Sequence, residues 1–233
     1  MMKFAGRIGT CVLGMLAGGA AIAFAGEMPM TWQLAESRVD DGAPISVFVE
    51  AEKTPGRPAF KIETTFDVGP SIAAGTLMHD MLNESDLPDG LRRKVLEHSD
   101  REALVYTLID LPFMLADREL AIRISHSDDP ATGIHRIDWI EANDVLPAGD
   151  EEVVRLSGTN GYWEFRPDGA TGTEATYLTQ TEIGGSIPTA IGDRLLKGQA
   201  VDAVHRLRGH IEKRRKFAEL GGAKALPSVS LGH

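Results

Sequence analysis

One stretch near the end of the chain, Thr176–Arg215, restricts the fold most. It opens with a segment rich in Thr, Tyr and Leu, which is typical of a β-strand, and Gly184-Gly185 breaks that strand. Apolar residues then recur at spacings of three and four: Leu196, Ala200, Val204, Leu207 and Ile211. This spacing predicts a helix of about 28 residues and about 42 Å with one apolar stripe. Such a helix is long enough to lie across a whole small sheet.

The start of this helix has its own signals. Ser186 is predicted to cap the helix, and Pro188 is predicted to stand in its first turn, where a missing N–H costs nothing. Arg206, Arg208 and Lys213–Lys216 crowd the other end. These cations complement the helix dipole, or they form a surface that docks on a membrane.

The N-terminal segment 1–25 is predicted to be a secretory signal peptide. Lys3 and Arg7 precede the apolar run Ile8–Phe24, and Ala23-Phe24-Ala25 fits a cleavage site after Ala25. The run is short for a membrane-spanning helix, although an uncleaved anchor is the alternative. We therefore expect a periplasmic or secreted protein.

Charge and cysteine content exclude several classes of function. The chain carries 24 Lys and Arg against 34 Asp and Glu, a net charge of −10, and losing Lys3 and Arg7 makes it two units more negative. Nucleic-acid binding needs cations to neutralise phosphate, so we expect no nucleic-acid partner. The single cysteine, Cys11, lies in the signal segment, which leaves the mature chain no disulfide and no thiol chemistry.

The remaining segments alternate in a definite order. Early strands are predicted at Trp32–Val39, Ile45–Ala51 and Phe60–Val68. Two short helices follow, one beginning at Gly69-Pro70-Ser71 and one at Asp89–His98. Five strands come next: Glu102–Leu111, Asp117–His126, Ile134–Ala142, Val153–Arg166 and Thr173–Ile183.

This order predicts an α+β fold in which a curved antiparallel sheet of about seven to nine strands wraps around the long C-terminal helix. The two short helices follow the first strands. Small or polar residues between sheet and helix would turn the space there into a pocket. Residues 26–216 form this single domain, and residues 217–233 are predicted to be a flexible tail.

Three pieces of the sequence resemble the START domain, the StAR-related lipid-transfer branch of the helix-grip (SRPBCC) superfamily. The run Tyr106–Leu120 resembles a family strand followed by P-x-x-x-x-x-R-[DE], here from Pro112 to Arg118-Glu119. Thr176-Tyr177-Leu178 resembles the penultimate, aromatic strand, and Gly184–Pro188 resembles the G-x-[IL]-P entry to the lid helix. The resemblance covers about residues 32–216. It departs where the family has a tryptophan in its second helix, since Leu91-Arg92-Arg93 stands there.

The resemblance implies a helix-grip carrier that encloses one lipid, which enters when the C-terminal helix or the loop Leu111–Ala116 opens. Burying apolar surface yields roughly 25 cal/mol per Å², so such a carrier needs no cofactor. We expect transfer of a sterol, a hopanoid or a phospholipid in the periplasm, by a monomer in transient contact with membranes.

Arg118 and Asp110 are the first candidate cavity residues. The Arg118 guanidinium could bind a phosphate or another anionic headgroup, or it could form a structural salt bridge to Asp110, Asp117 or Glu119. Asp110 sits in an otherwise apolar strand, as an inward polar anchor or as an edge residue facing water. Tyr106 belongs to the same strand and is also expected to line the cavity.

Aromatic and helix residues complete the expected lining. Trp139, Trp163 and Tyr177 fall on three predicted strands and could line a cavity or pack in an ordinary core. Gln180 could bind a hydroxyl or carbonyl group of the ligand, or it could face water on the convex side. From the helix, the stripe contributes Leu196 and Val204.

No catalytic motif stands out. The sequence lacks H-E-x-x-H, G-x-S-x-G, a P-loop and G-x-G-x-x-G, so we name no catalytic residue, metal ligand or cofactor. The alternative is an enzyme similar to the polyketide cyclases and aromatases, which would use acid and base groups inside the same cavity. A lipid sensor with a protein partner is a third hypothesis.

Overall fold

The computed structural model describes residues 30–40, 42–52, 54, 56–111, 115–149, 152–185 and 187–219. The predicted signal peptide, residues 112–114 of the predicted loop Leu111–Ala116, the predicted cap Ser186 and residues 220–233 of the predicted tail lie outside these residues. All the strands and helices in these ranges belong to the unit that begins at Thr31.

Ten strands form one sheet, and their alternating apolar residues supply one buried face. The strands are β1 Trp32–Asp40, β2 Ala43–Glu50, β3 Ala59–Phe66, β4 Leu91–His98, β5 Glu102–Ile109, β6 Asp117–Asp129, β7 Ile134–Glu141, β8 Val153–Arg155, β9 Ser157–Asp168 and β10 Gly172–Glu182. Nine of them pair antiparallel in the order β1-β2-β3-β10-β9-β7-β6-β5-β4, while β8 pairs parallel with the start of β6. The predicted antiparallel sheet is thus confirmed.

Two α-helices cover one side of this sheet, which we call the inner face. Helix α1 (Pro70–Met81) starts with Pro70 in its first turn, as its sequence predicts, and buries Ala73 and Ala74 against the sheet. Helix α2 (Thr189–Glu219) is the predicted long C-terminal helix, and it starts directly after Pro188, whose carbonyl accepts the N–H groups of Ile191 and Gly192. A 3₁₀ turn spans Asn143–Val145. Neither α-helix in the described part of the chain is long and apolar enough to cross a membrane.

The predicted second helix at Asp89–His98 is wrong, because these residues form strand β4. Its side chains alternate in burial, with Leu91, Arg93 and Val95 half-buried and their neighbours exposed. Gly90, which has a φ of 78°, forms the turn that leads into β4. Strand β4 then pairs antiparallel with β5 from Leu91 to His98. Pairing to β5 outweighed the four-residue spacing of Leu91 and Val95, which had indicated a helix.

Two boundaries also differ from the prediction. The predicted strand Val153–Arg166 divides at Leu156, whose N–H bonds to the Glu119 carbonyl at 2.9 Å, so that β8 joins β6 and β9 joins β7 and β10. Helix α2 continues to Glu219, three residues into the segment predicted as a tail.

Polar contacts fix one flank of α2 to the β1–β3 side of the sheet. Lys197 pairs with Glu36 of β1 at 2.7 Å, and His205 lies 3.2 Å from the carboxylate of Asp40. Further along, Arg208 donates to the hydroxyl of Thr64 at 3.0 Å. Helix α2 therefore lies over β1–β3, while its opposite flank faces α1 and β4.

Candidate functional site

An aromatic row crosses the middle of the inner face. Trp139 on β7, Trp163 on β9 and Tyr177 on β10 lie on neighbouring strands and point to the same side. The Trp163 and Tyr177 rings stack at 4.7 Å, and the Trp139 ring lies 5.7 Å from Tyr177. The structure thus brings together the three aromatic residues that the sequence singled out.

A glycine makes this row possible. Gly161 of β9 stands opposite Trp139 on the inner face, and a Cβ there would lie 2.4 Å from the Trp139 ring and 2.2 Å from the Leu178 carbonyl oxygen. Only a residue without a side chain lets the indole lie against the sheet at this point.

Packing against the inner face changes along the strands. At the end where α1 and the second half of α2 lie, the side chains are fully buried, among them Ile45, Ile124, Phe165, Val204 and Leu207. At the other end, inner-face residues keep accessible surface: Val49, Ile122, Tyr177 and Thr179, together with Leu196 of α2. We call these five residues the hollow.

Tyr177 is the ionisable side chain among the five residues of the hollow. Burial raises the pKa of its phenol, while a hydrogen bond with Thr179 and the positive charge of Arg206 oppose the increase. The hydroxyl is thus shielded from bulk water although the side chain is only half-buried. The five residues of the hollow thus keep surface that the protein's own side chains do not cover, and this surface is apolar apart from the hydroxyl groups of Tyr177 and Thr179.

The two predicted helix residues both face the sheet. Val204 is completely buried in the packed end, whereas Leu196 is half-buried and belongs to the hollow. The same stripe of α2 therefore closes a solid core with its second half and covers the hollow with its first half.

Arg118 has a different role from the two that its sequence context predicted. It is 3% exposed and donates to the carbonyl oxygens of Ala116 and, at 3.2 and 3.4 Å, of Ile183 and Gly184. Burial lowers the pKa of its guanidinium, opposed by the nearby Asp117. Its described hydrogen bonds go to main-chain carbonyls rather than to a carboxylate. Arg118 thus holds the connection between β10 and α2.

Three predicted lining residues lie elsewhere. Asp110 is exposed just beyond the end of β5, and its N–H bonds to the Gly90 carbonyl in the turn before β4. Tyr106 points away from the inner face, because it alternates with Val105, and its hydroxyl bonds to Glu119 at 3.0 Å. Gln180 alternates with Tyr177 and Thr179 and so lies on the outer side of β10, although it is buried. The strand period of two decides the corrections for Tyr106 and Gln180, while Asp110 lies outside the strand.

Sequence reasoning missed two groups of polar residues on the inner face. His126 and His135 stack with ring centroids 5.5 Å apart and ring nitrogens at 3.2 Å. Arg93 approaches Arg206 and His210 of α2 around a pocket. Each group joins residues from different elements, and the alternation of β4 was the only local signal for Arg93. The described residues contain no group of three or more His, Cys, Asp or Glu side chains arranged to hold a metal ion.

The chain is similar in sequence to a protein from Pseudomonas aeruginosa over about half of its length. No family model matches the chain. The Pseudomonas aeruginosa protein, itself described as uncharacterized, is 28% identical over 121 residues. This match covers 52% of the chain and 59% of the relative, so the chain spans less than two thirds of that relative's length.

Comparison with solved structures is more informative. A STAR-related lipid transfer protein from Xanthomonas axonopodis has a TM-score of 0.65 at 20% identity, covering 78% of this chain and 98% of its own. Human STARD10 has a TM-score of 0.65 at 18% identity, covering 81% and 76%. Human StAR-related lipid transfer protein 5 has a TM-score of 0.62 at 13% identity, covering 79% and 88%. The chain therefore has the helix-grip fold of the START domains.

Proposed function

We propose that this chain binds one hydrophobic lipid between the sheet and α2 and transfers it between membranes. The accessible apolar surface of the hollow, at Ile122, Tyr177 and Leu196, carries this proposal. An apolar ligand that covers such surface contributes roughly 25 cal/mol per Å², without a cofactor. The three START structures with this fold, two of them named as lipid transfer proteins, support the same function.

The ligand class and compartment extend this proposal. A signal peptide cleaved after Ala25 would deliver the protein to the periplasm, where a sterol, a hopanoid or a phospholipid needs a carrier to cross water. The basic residues near the end of α2 support transient docking on an anionic membrane. Several of them already pair within the protein, because Lys213 contacts Asp86 and Lys216 contacts Glu212.

A cyclase-like enzyme would need acid and base groups beside the ligand. Around the hollow, the described inner-face residues Tyr177 and Glu141 are ionisable, and no described hydrogen bond joins their side chains. Arg118 is bound to carbonyl oxygens. The apolar lining therefore favours the carrier over the enzyme.

Native mass spectrometry tests this proposal. The protein would be expressed with its own N-terminal segment, purified from the periplasm and sprayed intact, and the adduct would then be extracted and identified. We expect a polypeptide that begins at Gly26 and carries one lipid per chain. Recovery of a lipid-free protein that also takes up no labelled sterol or phospholipid from vesicles would refute the carrier function.

A further inference from the structure

A pocket lies where the end of α1, the start of β4 and α2 meet. It has a volume of about 290 Å³. Its lining combines an apolar part with a charged rim: Leu87, Pro88 and Leu91, and then Asp80, Asp86, Arg93, Arg206 and His210. We call it the rim pocket.

Arg93 is held in this pocket with part of its guanidinium free. Its Nη1 donates to the carbonyl oxygens of Asp80, in the last turn of α1, at 2.5 Å and of Asn83, just after α1, at 3.2 Å. Burial lowers the pKa of Arg93, Asp80 opposes this, and the charge of Arg206 adds to it. Within the described residues, Nε and Nη2 have no hydrogen-bond acceptor. The side chain is thus oriented by the protein but still able to donate.

The acidic groups of the rim pocket already have cationic partners. Asp80 lies 3.2 Å from Nδ1 of His210, and Asp86 lies 3.4 Å from Nζ of Lys213. Arg206, by contrast, is exposed and has no ion pair with any described carboxylate. Arg93 and Arg206 thus form a pair of guanidinium groups that line one pocket, whose two carboxylates lie against other basic side chains, in a chain whose net charge is −10. Such a pair is suited to an anion with several oxygen atoms.

The rim pocket adjoins the inner face. Leu91 and Arg93 point to the same side of β4 as Val95, which packs against the core, and Arg206 follows shortly after Val204 and directly precedes Leu207, both of which α2 buries against the sheet. We propose that Arg93 and Arg206 bind the anionic headgroup, a phosphate or a carboxylate, of an amphiphile whose apolar part occupies the hollow. This inference rests on the proposed carrier function and specifies the chemical class of its ligand.

Uptake of two labelled lipids tests the assignment. Vesicles would present either phosphatidylglycerol or diacylglycerol with the same fluorescent acyl chain to the mature protein and to Arg93→Gln, Arg206→Gln and Arg92→Gln. Arg92→Gln is the matched control. It removes the same charge as Arg93→Gln, but Arg92 is exposed on the opposite side of β4. Arg206→Gln breaks no described hydrogen bond, so its effect is not obscured by misfolding.

We expect Arg93→Gln and Arg206→Gln to weaken phosphatidylglycerol binding by about tenfold or more, as for the loss of a charge-assisted contact, and to leave diacylglycerol binding unchanged. Arg92→Gln should change neither. Equal losses for both lipids, or no loss for phosphatidylglycerol, would overturn the headgroup assignment while the carrier function stands. Failure of the wild-type protein to take up either lipid, and also a labelled sterol in the same assay, would instead reject the carrier function itself.

Inorganic phosphate distinguishes a headgroup from a free anion. Calorimetric titration would measure its binding to the wild-type protein and to Arg206→Gln. Phosphate that binds only the wild type, combined with phosphatidylglycerol uptake that is the same in both proteins, would show that the rim pocket serves a free anion and would overturn the proposal. If Arg206→Gln abolishes both a weak binding of phosphate and the binding of phosphatidylglycerol, the result would support the headgroup assignment.

Discussion

The guanidinium of Arg118, at the start of β6, donates to the carbonyl oxygen of Ile183 at 3.2 Å, where β10 leads into α2. The next two residues, Gly184 and Gly185, have φ of 61° and 68°, and a Cβ at Gly185 would lie 2.9 Å from Nη2 of Arg118. The planar guanidinium of Arg118 therefore packs closely against the left-handed turn at Gly184-Gly185. The position of the first turns of α2 depends on this contact.

Replacement of this arginine tests that dependence. Arg118→Lys keeps the charge but loses the fork, so buried carbonyl groups lose donors and we expect a loss of about 2–3 kcal/mol in the free energy of unfolding. Urea denaturation measures it, and amide hydrogen exchange should accelerate most near residue 189. Arg123→Lys is the control, since Arg123 makes a long, exposed ion pair at 3.7 Å and should change stability by less than about 0.5 kcal/mol.

The hollow predicts opposite results for two neighbouring isoleucines on β6. Ile122 is half-buried at the hollow, while Ile124 is fully buried one step further along the same face. We expect Ile122→Trp to keep the fold and to reduce lipid uptake by filling the space. Ile124→Trp should lower the free energy of unfolding by about 1–3 kcal/mol or more, because it overpacks the core. Equal destabilisation by both substitutions would show that no space exists at Ile122.

Two glycines should respond to alanine with opposite signs. Gly161→Ala places a methyl group against the Trp139 ring, and we expect a loss of about 1–3 kcal/mol with a changed tryptophan fluorescence spectrum. Gly209→Ala lies inside α2 with no atom within 4 Å of the new Cβ, so we expect a gain of up to about 1 kcal/mol. Thermal and chemical denaturation of both variants would decide the matter, and a tolerated alanine at 161 would contradict the described contact.

The stacked histidines predict acid sensitivity. Burial lowers the pKa of both His126 and His135 from the usual 6.5, Asp128 opposes this, and Arg101 adds to it. For His126, the charge of His135 is a further cause. The folded protein thus binds fewer protons than the unfolded chain, so its stability should fall as the pH drops below about 6.5, by about 1.4 kcal/mol per unit of pKa difference.

Denaturation at pH 7.5, 6.5 and 5.5 measures this effect. His135→Gln removes one titrating group and should flatten the dependence, whereas His98→Gln, on the exposed end of β4, should leave it unchanged. Unaltered stability of the wild type across this interval would contradict the prediction.

The long helix and most of the strands could be predicted because each carries a local period. The stripe Ala200, Val204, Leu207 and Ile211 is buried as the three- and four-residue spacing indicates. Strand β4 escaped prediction, because Leu91 and Val95 fit a helix and a strand equally well until β5 supplies a pairing partner. Short apolar segments of this kind are decided by tertiary contacts.

The candidate site was predictable in its aromatic part and not in its charged part. Trp139, Trp163 and Tyr177 share a face because adjacent antiparallel strands align side chains that point the same way. The orientation of Tyr106 and Gln180 depended on the register of each strand, which composition does not reveal, and Asp110 lies beyond the end of β5. The meeting of Arg93 with Arg206 depends on the crossing of α2 over β4, and no local pattern encodes it.

The inner face is packed unequally along the strands, so the residues that stabilise the fold differ from those proposed to hold the lipid. One end of the sheet is filled by the protein's own side chains, from Ile45 to Leu207, and supplies a cooperative core that is complete without any guest. The other end keeps surface that this core does not cover, at Val49, Ile122, Tyr177, Thr179 and Leu196. In the proposed carrier, this division would let the lipid-free form keep its shape between two deliveries, so that affinity for the lipid and resistance to unfolding could evolve independently.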